Sequence, residues 1–343
     1  MPGLWRHRDF MLLWAGQSAS ELGSAVTVLA LPLIAVVLLS ASTFEAVIPP
    51  MTVVDAHHHL WDLSAHDQPW LASDPELAPL LRNFSVADLA AAAGAEDVAA
   101  TVLVQTVSEP WETPEMLATA AAGQGLVAGV VGWVGLESED VAGAIAGLRD
   151  LPGGARLAGI RHPVLVEPDS GWLARPAVLR GLAAVSAAGL AYEIVGQPRH
   201  LAAAAEAAMA LPDLQFVLDH LGNPEVVPDV SAVWADALRT LAALPNVIAK
   251  LSGIFGVPAP GRDAVADADG QVDVAHMKPV YEIALDAFGP ERLMFGSDWP
   301  VSTLHARYAD IHAAARSLTA GLSQAERQAI FSGTARRVYR LRG

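Results

Sequence analysis

The feature that most constrains the fold is an alternation, from Val53 onward, of short apolar runs with alanine-rich stretches. Eight runs have the length and residue types of buried strands. They read "TVVDAH", "AATVLVQTV", "LVAGVVGWV", "RLAGIRH", "LAYEIVG", "LQFVLDH", "NVIAKLSG" and "RLMFGSDW". The stretches between them, such as "SVADLAAAAGAED" and "RHLAAAAEAAMALP", have a helix-favouring composition. Ser85 and Pro176 are typical of the first residues of helices.

Eight strand–helix units in a row predict an α/β fold of the (β/α)8 type, a TIM barrel. A doubly wound open sheet is the alternative. No glycine-rich phosphate-binding sequence follows the first strand, which makes that alternative weaker. A long stretch at 257–277 predicts a loop after the seventh strand.

The first 50 residues differ from the rest of the chain. Residues 22–44 carry no charge and are long enough to span a bilayer, with Arg6 and Arg8 upstream. Residues 1–46 also resemble the opening of major facilitator transporters. We therefore expect 1–50 to be a fused segment or a mis-called start and 51–343 to be the functional domain, located in the cytoplasm. A membrane anchor formed by 22–44 is the alternative, and a signal peptide fits less well because the apolar run begins late.

The composition excludes several classes of function. The net charge is −16 and no basic cluster stands out, which argues against a nucleic-acid partner. The chain has no cysteine, so thiolate metal ligands and a cysteine nucleophile are excluded. Lys250 and Lys278 are the only lysines, which makes a lysine inside an apolar run notable. The oligomeric state stays open.

Polar residues follow most of the predicted strands, at the point where each strand ends. In a barrel of this kind the carboxyl ends of the strands surround one mouth, where the chemistry takes place. The residues that would meet there are His57, His58, His59, Gln105, Arg161, His162, Asp219, His220, Lys250, Ser252, Asp298 and Trp299. A single histidine at a strand end is usually structural, but the convergence of several titratable groups predicts an active site.

The histidine triplet "HHH" at the end of the first strand predicts a metal site. Side chains alternate along a strand, so His57 and His59 share a face while His58 points to the opposite side and packs against a helix. Two imidazoles on one inward face can bind one metal ion. Asp55 would lie deeper on the same face and orient a ligand. The alternative for the pair is a purely structural role.

Asp298 and Lys250 are the other two candidates for chemistry. Asp298 follows the apolar run "RLMFGS", and it could bind a metal and accept a proton from water. Its alternative role is to cap the next helix. Lys250 ends the seventh strand and could donate to a substrate carboxylate or an oxyanion. Its alternative role is a salt bridge with a neighbouring acid.

The sequences "VVDAHHHLWD", "GIRH", "VLDHLGNP", "KLSG" and "FGSDWPV" resemble the amidohydrolase superfamily, specifically its sugar-lactone hydrolase branch. The likeness extends over about residues 52–340. It implies a (β/α)8 barrel in which His57 and His59 form the His-x-His pair of the family. It also implies roles for His220 on the sixth strand and Asp298 on the eighth.

The chain departs from many metal-dependent relatives in one respect, because no histidine ends the fifth strand and His200 comes too late to replace it. At the fourth strand, Arg161 and His162 stand in place of a bridging lysine, which argues against a two-metal centre. We expect one divalent ion, zinc, bound by His57, His59 and Asp298. A metal-free site is the alternative.

These residues together predict hydrolysis of a small lactone by water attack, with Asp298 as general base. The metal would stabilise the oxyanion, or His220 and Lys250 would do so in its absence. Further substrate contacts are expected from Gln105, Arg161 and His162, with apolar walls from Trp61 and Trp299. The alternative role of the two tryptophans is ordinary packing at the rim of the barrel.

Two alternatives have different readouts. The same barrel could decarboxylate an aromatic or unsaturated carboxylic acid with the help of a metal, and carbon dioxide release would identify that reaction. It could also be an anchored module that binds sugar acids without turnover. A binding module has little need for a His-x-His pair together with Asp298, which favours the enzyme.

Overall fold

The computed structural model describes residues 52–94, 96–123, 125–224, 230–254, 272 and 274–341. The segment 1–50, with the apolar run 22–44, lies outside the described residues, so its fused or anchoring role stays a prediction. The loop expected at 257–277 also falls outside them, except for residue 272 and residues 274–277. Within the described part of the chain, no helix combines the length and the apolar character needed to cross a membrane.

Eight parallel strands form one sheet in which each strand pairs with the next along the chain. They are β1 (Val53–His58), β2 (Val98–Val104), β3 (Val127–Gly132), β4 (Leu157–His162), β5 (Ala191–Ile194), β6 (Phe216–Leu218), β7 (Val247–Leu251) and β8 (Leu293–Phe295). The last strand returns to the first, because Asp298 N–H donates to the His57 carbonyl at 2.8 Å and His59 N–H donates to the Trp299 carbonyl at 2.7 Å. The predicted TIM barrel is confirmed, and the open sheet is excluded.

Helices cover the outside of the sheet in the order that the alternation predicts. They are α1 (Val86–Ala93), α2 (Glu112–Ala122), α3 (Val141–Arg149), α4 (Pro176–Ala187), α5 (Leu201–Ala210), α6 (Ala232–Ala242), α7 (Val274–Phe288), α8 (Tyr308–Leu318), α9 (Gln324–Gln328) and α10 (Thr334–Tyr339). Ser85 caps α1 in a reciprocal capping box with Asp88, and Pro176 is the first residue of α4. Both helix starts are as the sequence predicts.

The core has two main layers. Residues on the outward faces of the strands, such as Phe216 and Phe295, pack against the helices in one large cluster. Small and branched residues such as Ala56, Val217 and Ile248 fill the barrel interior together with Tyr339 of α10. Because the interior is packed with side chains, the polar groups that remain at the carboxyl ends of the strands are held rigidly.

Candidate active site

Three predicted residues meet at the junction of β1 and β8. The Nε2 atoms of His57 and His59 are 3.1 Å apart. The Oδ1 atom of Asp298 lies 3.6 Å from the first of these nitrogens and 3.5 Å from the second. All three side chains are buried, with 0–7% of each exposed. A tight triangle of two imidazole nitrogens and one carboxylate oxygen therefore lies at the mouth of the barrel.

The spacing of the triangle fits a single metal ion. Atoms bound tetrahedrally to zinc at about 2.0–2.1 Å lie about 3.3–3.4 Å from one another. The three distances here, 3.1, 3.5 and 3.6 Å, are close to that value. The Nδ1 atom of His59 is 2.8 Å from the Val104 carbonyl, which can only accept, so His59 carries its proton on Nδ1. Its Nε2 lone pair is then directed at the triangle, as a metal ligand requires.

Two close backbone contacts position Asp298 and His57. Asp298 has a left-handed backbone conformation with φ 58°, which is uncommon for a residue with a side chain and typical of functional positions. A Cβ atom on Gly296 would lie only 2.7 Å from the Cβ of His57, so β8 approaches β1 this closely because that residue is glycine. Ser302 N–H donates to the backbone carbonyl of Asp298 at 2.9 Å and not to its side chain. The bond therefore does not support the alternative role of Asp298, which was to cap the next helix with its carboxylate.

His220 lies beside His57, with 4.6 Å between the ring centroids, and is therefore part of the same cluster. Its Nδ1 atom is 2.9 Å from the Ser252 hydroxyl, which leaves Nε2 for another partner. A Cβ atom on Gly253 would lie 2.5 Å from the His220 ring, so only glycine fits there. His57, Asp219 and His220 form a second group whose ligand atoms are close enough for one ion.

Lys250 is fully buried beneath His57 and contacts side chains only. Its Nζ atom lies 2.7 Å from Glu193, 3.1 Å from Asp219 and 3.0 Å from the Nδ1 atom of His57. These three partners match the three N–H donors of an ammonium. The structure therefore favours the salt-bridge alternative and does not support the expectation that Lys250 donates to the substrate.

Arg161 and Gln105 link β2, β4 and β6. Arg161 Nη1 is 3.0 Å from Asp219 Oδ2 and 3.5 Å from His57 Nε2, and Nη2 donates to the Gln105 carbonyl. The Gln105 amide nitrogen donates to the Arg161 carbonyl at 3.3 Å, while its Oε1 atom is buried without a partner. Both residues lie next to the triangle, so their expected contact with substrate stays a prediction.

His162 lies in a different environment from the one expected. Its Nδ1 atom accepts from Trp133 Nε1 at 3.1 Å, and its Nε2 atom is 2.8 Å from Glu167. The ring stacks on Trp172 with 4.3 Å between centroids. Both ring nitrogens are therefore occupied within the protein, and the geometry does not support a substrate contact.

Trp61 and Trp299 pack against Phe84 at the rim of the barrel. They do not form a wall of the triangle. Phe84 lies between them, with ring centroids 5.0 Å from Trp61 and 5.4 Å from Trp299. Trp61 also borders a cavity of about 550 Å³ beside α1 and α2, to which none of the three residues of the triangle contributes.

Asp55 has a different role from the one that the sequence predicts. Its carboxylate accepts from the backbone N–H of His57 at 3.1 Å, from Ser297 N–H at 2.8 Å and from the Tyr308 hydroxyl at 3.0 Å. The pairing register of β1 shifts between Asp55 and His58, so strict alternation does not extend from Asp55 to the histidines. Asp55 therefore fixes the backbone that carries His57 and Asp298, and it does not orient an imidazole ring.

Glu193 is a buried acid that the sequence did not place at the site, and Asp219 is a buried acid that it placed at the mouth without a role. The carboxylate of Asp219 contacts Arg161, Lys250 and His57. Glu193 Oε1 accepts from the Tyr339 hydroxyl, and Oε2 forms an ion pair with Lys250 at 2.7 Å. A signal existed for each, since Asp219 directly precedes His220 and Glu193 interrupts the apolar run "LAYEIVG".

The electrostatics of the site favour neutral imidazoles. Burial lowers the pKa of His57 well below its usual value, and the nearby charge of Lys250 adds to this. Burial also lowers the pKa of His220. Burial alone would raise the pKa of Asp219, but the charges of Lys250 and Arg161 outweigh it and hold that pKa well below the ordinary value. Neutral imidazoles can act as metal ligands.

The segments that follow β1, β2 and β4 enclose a second cavity of about 430 Å³, the mouth groove, with lining residues within 66–70, 106–111 and 163–166. His57, His59 and Asp298 do not line this cavity either. Asp67 and Glu109 are its acidic lining residues. His66 stacks on Trp111 at 3.7 Å and has Glu115 as a partner at 2.8 Å. The described lining includes no arginine or lysine, so the groove offers aromatic surface and acidic groups.

The amidohydrolase family matches residues 54–341, which is most of the chain. The chain belongs to the amidohydrolase family. An L-fucono-1,5-lactonase from Burkholderia multivorans is 35% identical to this amidohydrolase over 301 residues, covering 84% of this chain and 96% of the relative. An L-fucono-1,5-lactonase from Burkholderia ambifaria is 34% identical over 257 residues, covering 75% and 83%.

A solved structure agrees with the fold. The crystal structure of an amidohydrolase from Burkholderia multivorans with bound zinc superposes with a TM-score of 0.75 at 32% identity, covering 85% of this chain and 100% of the other. The predicted family is confirmed, and the protein is a hydrolase.

Exchanging His57 or His58 for glutamine tests which histidines face the site. The ring of His58 is 2.9 Å from the Thr101 hydroxyl, away from the triangle, and burial lowers its pKa to about 3. We expect His57→Gln to lower kcat/KM by about 10²-fold or more and His58→Gln to change it only a few-fold. Steady-state kinetics of the two purified variants measures this, and equal losses would contradict the assignment.

Glu112 provides a test of pH dependence. Its buried carboxylate accepts from Thr106 N–H at 2.7 Å and from Val107 N–H at 3.2 Å, and so holds the segment after Gln105. Burial raises the pKa of Glu112 from 4.5 to about 7. A raised pKa means that the stability from the neutral form is present below pH 4.5 and is lost as the pH rises through about 7.

We therefore expect wild type to lose up to about 3 kcal/mol of unfolding free energy relative to Glu112→Gln between about pH 5 and about pH 8.5. Urea denaturation of both proteins across this range measures the difference. Glu206→Gln, an exposed change on α5, is the control and should follow wild type. Parallel pH profiles for wild type and Glu112→Gln would contradict the raised pKa.

Proposed function

We propose that this amidohydrolase hydrolyses a small, uncharged sugar-acid lactone, with Asp298 as general base and one divalent ion, zinc, bound by His57, His59 and Asp298. The observation that carries the proposal is the triangle of ligand atoms at the mouth of the barrel, with separations of 3.1, 3.5 and 3.6 Å. The two lactonase relatives support the type of bond that is cleaved.

Asp298 performs the proton transfers. One carboxylate oxygen faces the two imidazoles, and the other is left for a water molecule. Asp298 accepts a proton from this water as the oxygen forms a bond to the lactone carbonyl carbon. The bond between that carbon and the ring oxygen then breaks, and Asp298 returns the proton to the ring oxygen. The products are one hydroxyl and one carboxylic acid, and the acid then releases its proton to solvent to become a carboxylate, so atoms and charge balance.

Charge must also be stabilised on the carbonyl oxygen. When a divalent ion is bound, it supplies Lewis-acid stabilisation of this oxygen. His220 is placed to add a hydrogen bond, because Ser252 takes its Nδ1 atom and leaves Nε2 for the substrate. Lys250 acts only through His57, since it is fully buried among side chains.

The charges around the site favour an uncharged substrate. The two cations next to the triangle, Arg161 and Lys250, are paired with Asp219 and Glu193. A substrate carboxylate would find no unpaired cation among the described lining residues of the mouth groove, and it would meet Asp67 and Glu109. The aromatic faces of Trp70 and Trp111 suit the apolar face of a sugar ring. The same charges argue against the decarboxylase alternative, whose substrate is an acid.

The test is a panel of lactones and acids with the purified full-length chain. Acid release from neutral sugar lactones is followed with a pH indicator, and carbon dioxide release is followed with aromatic acids. Metal content is measured on the same sample. We expect ring opening of neutral lactones with about one zinc per chain. Turnover of lactones that carry a carboxylate in preference to neutral ones would overturn the charge argument, and carbon dioxide release without ring opening would overturn the reaction.

A further inference from the structure

The bond partners of Lys250 determine where His57 carries its proton. The Lys250 ammonium has donors and no acceptor, and its Nζ atom is 3.0 Å from His57 Nδ1. Arg161 Nη1 is also a donor, and it lies 3.5 Å from His57 Nε2. The Lys250 contact is shorter by half an ångström, so it is Nδ1 that presents its lone pair and Nε2 that carries the His57 proton. His59 can accept this proton, because its own proton is on Nδ1 and its Nε2 atom is 3.1 Å away.

The described contacts thus form one donor chain from Lys250 to His57 to His59. The Lys250 ammonium is also ion-paired with Glu193 at 2.7 Å and with Asp219 at 3.1 Å. Metal binding through His57 Nε2 requires the opposite tautomer, with the proton on Nδ1. The Lys250 ammonium and the His57 Nδ1–H would then be two donors facing each other across 3.0 Å. The acceptor available to Nδ1–H would be Asp219 Oδ1, which is 3.5 Å away.

We propose that Lys250 is a positioning residue that holds His57 in the tautomer unable to bind metal, so that Lys250 and a divalent ion compete for His57 and Lys250 weakens the metal affinity of the site. In this arrangement Asp219 has the opposite effect, because it accepts the His57 proton when metal is bound. The proposal rests on the metal site of the proposed function. It does not require that the metal be essential for turnover.

The test measures zinc affinity by competition with a chromogenic chelator. Lys250→Met removes the donor, and Lys250→Met/Glu193→Gln removes one charge of each sign, so the buried charge balance is kept. We expect both variants to bind zinc about tenfold more tightly than wild type, or better, within the usual range of coupling between sites. Lys278→Met, at the other lysine of the chain, should bind like wild type. Unchanged or weaker zinc binding by a folded Lys250 variant would overturn the proposal.

A spectroscopic measurement on metal-free wild type decides the same point without a variant. The ¹⁵N chemical shifts of the His57 ring should show a protonated Nε2 and an unprotonated Nδ1. A protonated Nδ1 would overturn the proposal even if every variant failed to fold. The lactone panel is independent of these results, because failure of ring opening leaves the zinc affinities and the tautomer measurable.

Discussion

Exchanging Asp298 for asparagine is expected to lower kcat by about 10²- to 10⁴-fold while the fold stays intact. Asparagine has nearly the same shape, but it cannot accept a proton from water and offers no anionic oxygen to a metal. The left-handed backbone at this position tolerates asparagine well. Steady-state kinetics on the best lactone of the panel, with a thermal melt of the same sample, measures both effects.

Asp236→Asn is the matched control for this result. Asp236 pairs with Arg239 on the exposed surface of α6, far from any strand end, so its loss should leave kcat unchanged. Retention of more than about a tenth of the wild-type kcat by a folded Asp298→Asn variant would contradict the role of Asp298 as general base.

The second large effect is expected on stability. Asp219→Asn should lower the free energy of unfolding by about 3–5 kcal/mol, because it leaves two buried cations with too little compensating charge. Arg161 is 3.0 Å and Lys250 3.1 Å from the Asp219 carboxylate, and Glu193 alone would remain for both. Chemical denaturation near neutral pH measures the loss. The exposed change Asp236→Asn should cost less than about 0.5 kcal/mol.

The pH dependence of this loss has a definite sign. The pKa of Asp219 is held well below its usual value of 3.8, so its contribution is present above that pH and is lost as the pH falls through the folded pKa. The contribution of the Asp219 carboxylate to the stability difference between wild type and Asp219→Asn should therefore shrink in acid, below pH 3.8. A difference that shrinks as the pH rises from neutrality would contradict the assigned charges.

The residues that the sequence placed best are those whose position depends on one strand. His57 and His59 face the site and His58 faces away, because alternation holds locally over these three residues. Asp298 joins them because β8 closes against β1 in any barrel of this type. Asp55 does not share the face of His57 and His59 as predicted, because an irregular register interrupts the alternation between Asp55 and His58.

The residues that were placed less well are those whose role depends on their neighbours. Lys250 and His162 both end strands, but Glu193 and Glu167 are close enough to occupy them. Trp61 and Trp299 also follow strands, but both pack against Phe84 at the rim of the barrel. Glu193 is 57 residues from Lys250, and Phe84 is 23 residues from Trp61, so no local pattern could have revealed these partners; Glu167 is five residues from His162 and lies within local reach.

The sequence by itself determined the barrel, the family and the strand ends at which polar side chains collect, because hydrophobic periodicity and strand order are local properties that parallel pairing carries into space. Only the tertiary structure decided which polar groups face a ligand and which face one another. A buried charge must have a partner. That partner comes from whichever strand lies within about 3 Å once the barrel has closed. For Lys250 that closure supplied two acids and His57, and so it buried a side chain that the sequence placed at a substrate.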